Sequence, residues 1–560
     1  MKSRAHTAAL AALALCWFVA LWHQERPSVA ASEVGIGAAG GAADSARARV
    51  HERLLATLAE LSAGVRHHSE AHHAAALEAL ELRLVAAGHE PLRQNARHLS
   101  VPVVNLLARA NGTQSTGLVV VMGHHDSVFG SPGASDDGAG AVAALEAFLE
   151  VARTPHRNDI LLLLTDGEEL GLHGARSFVA EHRWFGEVRA ALNLESLGNA
   201  GPAWLFETGP TDARWIAGFA RSAPLPIGSS VAEPIYRTLM SHRDTDFSPF
   251  RDAGIGGLNF AIVWGTSANH RPFDTYTNID KSSVVHLFES GRAALDVLAN
   301  ADLAAPRASK PAFFELPLIG MVVVAPWASR ALSFLALAAA LLATYRATCA
   351  ARHAATGEGG VRRAALGFAV GLAALAAALG AAVLAARGAA ALADVLPLEH
   401  TAVGNARSMR WFAVGSACVS AGVFGALAGA ARFSRAWFLV PWAVALVALE
   451  WKFPLAAHQA ALPLFAGACA VLADGRARPL AVVFVALAAL FLGPMLRTLP
   501  QIVSGDPTFA ALAGALPAAA LAALALAAAR DARHTKDGGA LIAVGLIAFV
   551  VSAAIAATGA

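Results

Sequence analysis

Three short apolar runs in this chain each end in acid or imidazole, and this pattern constrains the fold more than any other. The run 119–122 leads into Gly123-His124-His125-Asp126. The run 160–164 leads into Thr165-Asp166-Gly167-Glu168-Glu169, and Ala191-Leu192-Asn193-Leu194, apolar but for Asn193, leads into Glu195. Unbroken apolar runs suit strands buried on both faces of a parallel sheet, and open α/β sheets gather their chemistry beyond the carboxyl ends of such strands. Between the first two runs lies Gly133-Ala134-Ser135-Asp136-Asp137-Gly138-Ala139-Gly140, and His270 comes much later. His, Asp and Glu collected at one edge are hard-to-borderline ligands that suit zinc. The pattern reads as a metallohydrolase.

Flanking segments extend the alternation. Helical spacing covers 43–61 and 69–87, ending at Gly88, and strand-like runs follow at 101–108 and 117–122. A helix is expected at 138–152, then a strand at 159–165, a helix at 174–183 and a strand at 189–195. A helix at 213–222, a strand at 258–263 and a closing helix at 282–298 complete the series. Alternation of this kind predicts an α/β domain over 24–303, with a mostly parallel central sheet and helices on both faces. The proline-containing stretch 304–330 reads as a linker.

Composition separates this domain from the carboxy-terminal half of the chain. Charged residues make up 15% of the chain and hydrophobic ones 56%, with a mean hydropathy of +0.50. A soluble chain carries about a quarter charged residues. Most Asp, Glu and His precede residue 310. Beyond it lie apolar spans near 331–348, 364–386, 411–431, 437–450, 455–473, 479–496, 508–529 and 539–558, most approaching the roughly 20 residues that cross a bilayer. Residues 331–560 therefore read as an all-α multispan membrane domain. The apolar stretch 8–22 after Lys2 and Arg4 reads as a signal-anchor helix within 1–23.

Arginine-rich loops alternate with poorer ones. Arg346, Arg352, Arg362 and Arg363, then Arg432 and Arg435, then Arg476 and Arg478, then Arg530, Arg533 and Lys536 fall on one side with the amino terminus. Positive residues mark the cytoplasmic side, so 24–330 is expected outside the cytoplasm. An Ala-rich, Cys-poor composition points to a bacterial inner membrane facing the periplasm rather than to a eukaryotic internal membrane. Cys16, Cys349, Cys418 and Cys469 lie in or beside apolar segments, which excludes a disulfide framework or thiolate metal site in the catalytic domain. A net charge of +2 argues against a nucleic-acid partner. The expected partners are peptide substrates and the lipid bilayer.

A catalytic metal site needs ligands from several strand ends, supporting groups behind them, and a position open to water. His124 with Asp126 two residues on suits a ligand and a carboxylate supporting it. Adjacent Glu168 and Glu169 point different ways from one backbone, so one can bind metal while the other faces water as general base. Asp136, after glycines at a helix start, suits a carboxylate bridging two metals. His67, His68, His72 and His73 read as a polar helix face.

His124-His125-Asp126-Ser127, Pro132-Gly133-Ala134-Ser135-Asp136-Asp137-Gly138-Ala139-Gly140, Asp166-Gly167-Glu168-Glu169-Leu170-Gly171 and Asn193-Leu194-Glu195 resemble the successive motifs of the co-catalytic zinc aminopeptidase family. That family includes aminopeptidase Y and glutamate carboxypeptidase relatives. His270-Arg271-Pro272-Phe273-Asp274-Thr275 with Asn278-Ile279-Asp280 resembles its last motif. A catalytic half followed by many spans is similar to the branch of endoplasmic-reticulum metallopeptidases and vacuolar membrane proteases. Ser241-His242-Arg243-Asp244-Thr245-Asp246-Phe247 resembles that branch's Ser-Asp-Thr-Asp-Phe segment with an altered beginning.

The resemblance implies two Zn2+ ions per chain. His124 and Glu195 would hold one, Glu169 and His270 the other, with Asp136 bridging. Glu168 would be the general base and Asp126 would orient His124. Glu195 stands where many relatives have Asp. The implied activity is a zinc-dependent peptidase, in the first instance an aminopeptidase. The alternatives are a single-zinc enzyme like glutaminyl cyclase, a non-catalytic receptor or assembly subunit on a peptidase fold, and a transporter with an accessory peptidase.

Overall fold

The computed structural model describes residues 42–239, 244–316, 319–354 and 439–472, together with 380 and 384. They fall into two compact units: one up to residue 315 with Ile319–Ala325, the other Leu316 and the residues from Pro326 onward.

The first unit is built on a seven-stranded sheet. Its strands are β1 (Leu92–His98), β2 (Val101–Ala110), β3 (Leu118–His124), β4 (Asp159–Thr165), β5 (Val188–Ser196), β6 (Ala200–Glu207) and β7 (Gly256–Trp264), in the spatial order β1-β2-β4-β3-β5-β7-β6. The central strands β4, β3, β5 and β7 are parallel, whereas β2 and β6 join antiparallel at the two flanks and β1 pairs antiparallel with β2. The expected mostly parallel sheet thus describes the centre, while the flanks make the whole sheet mixed. At one flank the cause is local. Leu99 and Ser100 both take positive φ (47° and 72°), the conformation that closes a two-residue hairpin and forces its strands antiparallel.

Alternate residues of the central strands enter two cores. Val119, Val121, Ile160, Leu162, Leu164, Leu192 and Leu194 pack on one face against α1 (Ala42–Leu61), α2 (Ala71–Ala86), α3 (Gly140–Ala152), α5 (Ala213–Ser222) and α8 (Lys281–Asn300). Leu118, Val120, Met122, Leu161 and Leu163 pack on the other against Phe178 of α4 (His173–Glu181) and Phe247 and Phe250 of α7 (Phe247–Asp252). Burial on both faces explains why these strands read as unbroken apolar runs. The helix α6 (Ala232–Leu239) precedes α7.

Part of the expected linker 304–330 is built into this unit instead. β8 (Ala312–Leu316) and β9 (Gly320–Val324) form a two-stranded ribbon whose Phe313 and Met321 enter the larger core. The Ser230 backbone N–H donates to the Phe313 carbonyl at 2.8 Å, and the Phe313 N–H donates to Ser230 Oγ at 3.2 Å. Two apolar side chains and this pair of hydrogen bonds outweigh the proline-containing character that suggested a free connector.

The second unit contains α9 (Pro326–Ala354), α10 (Val440–Lys452) and α11 (His458–Leu472), with α11 packed against both others. Within α9, Pro326–Arg346 spans 21 residues with mean hydropathy 1.5, and it is the one helix among the described residues long and apolar enough to cross a membrane. It overlaps the expected span 331–348. The helices α10 and α11, of 13 and 15 residues, overlap the spans expected at 437–450 and 455–473. The stretch 8–22 and the spans near 411–431, 479–496, 508–529 and 539–558 lie outside the described residues, as does 364–386 apart from 380 and 384.

Candidate metal centre

The registers of the parallel strands put the chemistry at one edge. His124 pairs with Thr165 at the last rung between β3 and β4, and Glu195 lies near the end of β5 beside Ala261 of β7. The chain leaves β3 towards β4 on one side and later returns to β5 on the other. That reversal opens the crevice where open α/β sheets bind ligands. The turn 134–139 and α3 close over it. Gly140 is required there, because a Cβ would lie 2.2 Å from the Leu194 carbonyl oxygen and 2.3 Å from the Asp137 carboxylate.

Asp136 stands at the middle of the cluster. Its Oδ1 lies 3.3 Å from His124 Nε2 and its Oδ2 lies 3.1 Å from His270 Nε2. The same His270 nitrogen lies 3.1 Å from Glu169 Oε2. His124 Nε2 also has Glu195 Oε1 at 3.6 Å and Glu168 Oε2 at 3.8 Å. Two sets of donor atoms converge, His124 with Glu168 and Glu195, and His124 with Asp136 and Glu169. The structure therefore gathers His124, Asp136, Glu168, Glu169, Glu195 and His270 in one cleft.

Asp126 sits behind them. Its Oδ1 is 3.2 Å from His124 Nδ1, and its two oxygens accept from the backbone N–H groups of Glu168 and Glu169, each at 3.2 Å. One carboxylate thus fixes both an imidazole and the turn carrying the two glutamates. His270 adopts positive φ (59°) and is half exposed, whereas His124 is buried.

Further buried groups hold the cluster that the sequence reading did not single out. Asp274 accepts from Ser135 N (2.8 Å), Ser135 Oγ (2.7 Å) and Asp136 N (3.1 Å), so it fixes the backbone that presents Asp136. Asp137 accepts from His124 N at 3.1 Å and Gly140 N at 3.0 Å. Asn269 donates to Asp136 Oδ2. Arg66, fully buried, donates to the carbonyls of His125 (2.8 Å), Pro132 and Gly133 (2.8 Å). Asp137 and Asp274 lie inside the recognised motifs and so carried a signal. Arg66 sits in a connector after α1, where periodicity says nothing.

The Asp244–Asp246 region divides. Asp244 Oδ1 accepts from Ser248 Oγ at 2.8 Å in the turn before α7, while Asp246 is buried and accepts from Thr165 Oγ1. His242 lies outside the described residues. Two of the four neighbouring histidines are not a solvated face. His72 Nε2 meets the Leu61 carbonyl at 3.1 Å and His73 Nε2 meets Asp166 Oδ1 at 2.9 Å.

The electrostatics are those of negative charge in excess. Burial, with Glu195, Asp246 and Glu169 nearby, pushes the Glu168 carboxyl well above its ordinary range, against the attraction of His124. Burial and the neighbouring Asp136 push Glu169 up to about 7, and burial does the same to Asp246. His270 is raised to about 10 by Asp136 and Glu169. His124 is raised well above its ordinary value because Glu168, Asp126, Asp136 and Glu195 outweigh its burial. Despite burial, Asp126 is held down to about 2 chiefly by His124. Like charges confined in low dielectric raise one another's pKa, and a divalent cation removes that conflict.

The donor set fits such a cation. Nε2 of buried His124, the nitrogen that faces Asp136, Glu168 and Glu195, and Oε1 of Glu169 lack a hydrogen-bond partner. Orphaned buried polar atoms cost about 1–3 kcal/mol each unless something else satisfies them. Imidazole nitrogens and carboxylate oxygens are the donors zinc takes.

Comparison with known proteins agrees over the same stretch. Residues 105–294 match the profile of Peptidase family M28. Endoplasmic reticulum metallopeptidase 1 of Rattus norvegicus is 31% identical over 209 residues, covering 36% of this chain and 23% of that protein. A vacuolar membrane protease of Candida albicans (strain WO-1) is 33% identical over 187 residues, covering 33% of this chain and 22% of that protein. The matched stretch is therefore less than a quarter of either relative. Among solved structures, the aminopeptidase from Aneurinibacillus sp. strain AM-1 overlaps 46% of this chain and 96% of its own, at 13% identity and a TM-score of 0.38. Profile and relatives together identify residues 105–294 as a Peptidase family M28 domain.

Proposed function

We propose that this chain is a membrane-anchored zinc peptidase that removes residues from the amino ends of peptides outside the cytoplasm. The observation that carries the reading is Asp136, whose two oxygens face different histidines, His124 and His270, each beside its own glutamate. That symmetry favours two ions sharing one carboxylate, with His124 and Glu195 on one side and Glu169 and His270 on the other. Zinc bound there supplies Lewis acidity and lowers the pKa of coordinated water. Glu168 accepts the proton of the attacking water and returns it to the leaving nitrogen. Asp126 holds His124 and the Glu168–Glu169 turn in register. Asp274 and Arg66 hold the loops that present Asp136 and His124. The aminopeptidase specificity rests on the resemblance of the motifs to the co-catalytic zinc aminopeptidases, and the anchoring rests on α9 and on the asymmetry of the arginine-rich loops.

A digest of a peptide library by the purified full chain, repeated after chelation and after zinc is returned, tests the reading. Residues should be released from amino ends, and the activity should vanish with the metal and return with zinc. Undiminished hydrolysis after thorough chelation would refute the metal mechanism. Ammonia release from peptides beginning with Gln, without hydrolysis, would assign the cyclase chemistry instead. Proteolytic accessibility of 24–330 from the non-cytoplasmic face checks the orientation, and protection there would reverse it.

A further inference from the structure

Beside the acid-rich cleft, and sharing no residue with it, two imidazoles and a carboxylate meet where α2 approaches the ends of β3 and β4. His73 lies in the first turn of α2, His125 just past β3 and Asp166 just past β4. One donor atom from each lies within 4.8 Å of the other two. His73 Nε2 is 2.9 Å from Asp166 Oδ1, and the two imidazole centroids are 5.3 Å apart. Asp166 Oδ2 accepts from the Val104 backbone N–H at 2.8 Å, which aims the other oxygen at His73.

The orientation of His125 points to a ligand. Its Nε2 meets the Val104 carbonyl at 3.0 Å, and a carbonyl only accepts, so the proton sits on Nε2. Nδ1 then carries a lone pair. The residue is fully buried and Nδ1 has no hydrogen-bond partner. An imidazole that donates one N–H to a carbonyl and leaves its other nitrogen bare is the arrangement seen in metal-binding histidines. A plain ion pair between His73 and Asp166 accounts for those two residues and leaves His125 Nδ1 unexplained.

We infer that His73, His125 and Asp166 form a further zinc site, separate from the cluster around Asp136. Two imidazoles and one carboxylate are borderline donors that favour zinc, at about 2.0–2.2 Å from the ion. A fourth position is left for water on the side where His73 keeps 13% of its side-chain surface exposed. The ion would staple α2 to the strand ends that carry His124 and, two residues beyond Asp166, Glu168. Its role is structural, because none of the three side chains belongs to the cleft.

Zinc counting on the full chain in detergent tests this site. After chelation, re-equilibration with Zn2+ and gel filtration, His73→Gln should hold one zinc fewer per chain than the wild type, and an equal count would overturn the site. The double variant His124→Ala/His270→Ala, which leaves His73 untouched, should still retain one zinc, and a double variant holding none would likewise overturn it. The reading of the Asp136 cluster stands or falls separately, on whether that double variant holds less zinc than the wild type.

Discussion

Two buried concentrations of charge in the same unit are resolved in opposite ways. On α8, Glu289 is 2% exposed, and its carboxylate accepts from Arg47 Nε at 2.7 Å and from Arg292 at 3.1 and 3.2 Å, with His51 Nε2 at 2.9 Å. The chain supplies the counter-charge itself, and His51, Arg292 and Arg47 hold the carboxyl down to about 2 against its burial. In the cleft, Asp126, Asp136, Asp137, Glu168, Glu169, Glu195 and Asp246 crowd around His124 and His270. The buried guanidinium of Arg66 spends its N–H groups on backbone carbonyls. There Glu169 and Asp246 are pushed up to about 7. A fold that pairs Glu289 completely yet leaves the cleft short of positive charge has reserved the cleft for a cation from outside.

That contrast can be broken at several points. The largest effect is expected at Glu168. Glu168→Gln removes the proposed proton acceptor and should lower kcat by about 10²–10⁴-fold while zinc content stays unchanged. Near-normal turnover in that variant would show that another group is the base. Next comes Arg66→Met, which leaves the carbonyls of His125, Pro132 and Gly133 without their buried donor. Denaturant unfolding should report a loss of about 3 kcal/mol, and an unchanged midpoint would remove Arg66 from its clamping role.

Smaller effects sharpen the comparison. Asp126→Asn should weaken zinc binding by about 10–100-fold in a competition titration, the usual scale for a residue that orients a ligand. Unaltered affinity would mean His124 is held by its buried surroundings alone. Glu289→Gln should cost only about 1–2 kcal/mol at neutral pH, since Arg47 and Arg292 are each over one-third exposed and rehydrate when released. It should leave kcat untouched. Because the folded-state pKa of Glu289 is depressed, its contribution is complete above the ordinary glutamate range and fades as pH falls towards about 2. Wild type and variant should therefore draw together in stability as pH falls from about 4.5 to about 2, and a constant gap across that range would contradict the pairing.

The central strands and the cleft were legible because each signal was local. Burial on both faces leaves an unbroken apolar run, and the residue after the run is the one at the strand's end, so His124, Glu168, Glu169 and Glu195 announce their position. The closing helix expected at 282–298 is found at Lys281–Asn300 for the same reason of clear periodicity. The features that escaped have no local signature. β1 has an alternating burial pattern with no apolar face to mark it, and its partner is fixed by the Leu99–Ser100 turn. Arg66 looks like any surface arginine until α1 and the 125–133 loop enclose it. His73 reads as one more polar helix position until Asp166 arrives from β4, 93 residues along the chain. Partners that distant are set by tertiary packing, which a single sequence does not display.

Anomalous diffraction at the zinc edge from crystals of the zinc-equilibrated full chain decides whether two metal ions share Asp136. Two peaks should flank the Asp136 carboxylate, one beside His124 and Glu195 and the other beside Glu169 and His270. Well-ordered density for these side chains with no anomalous signal between them would contradict that arrangement.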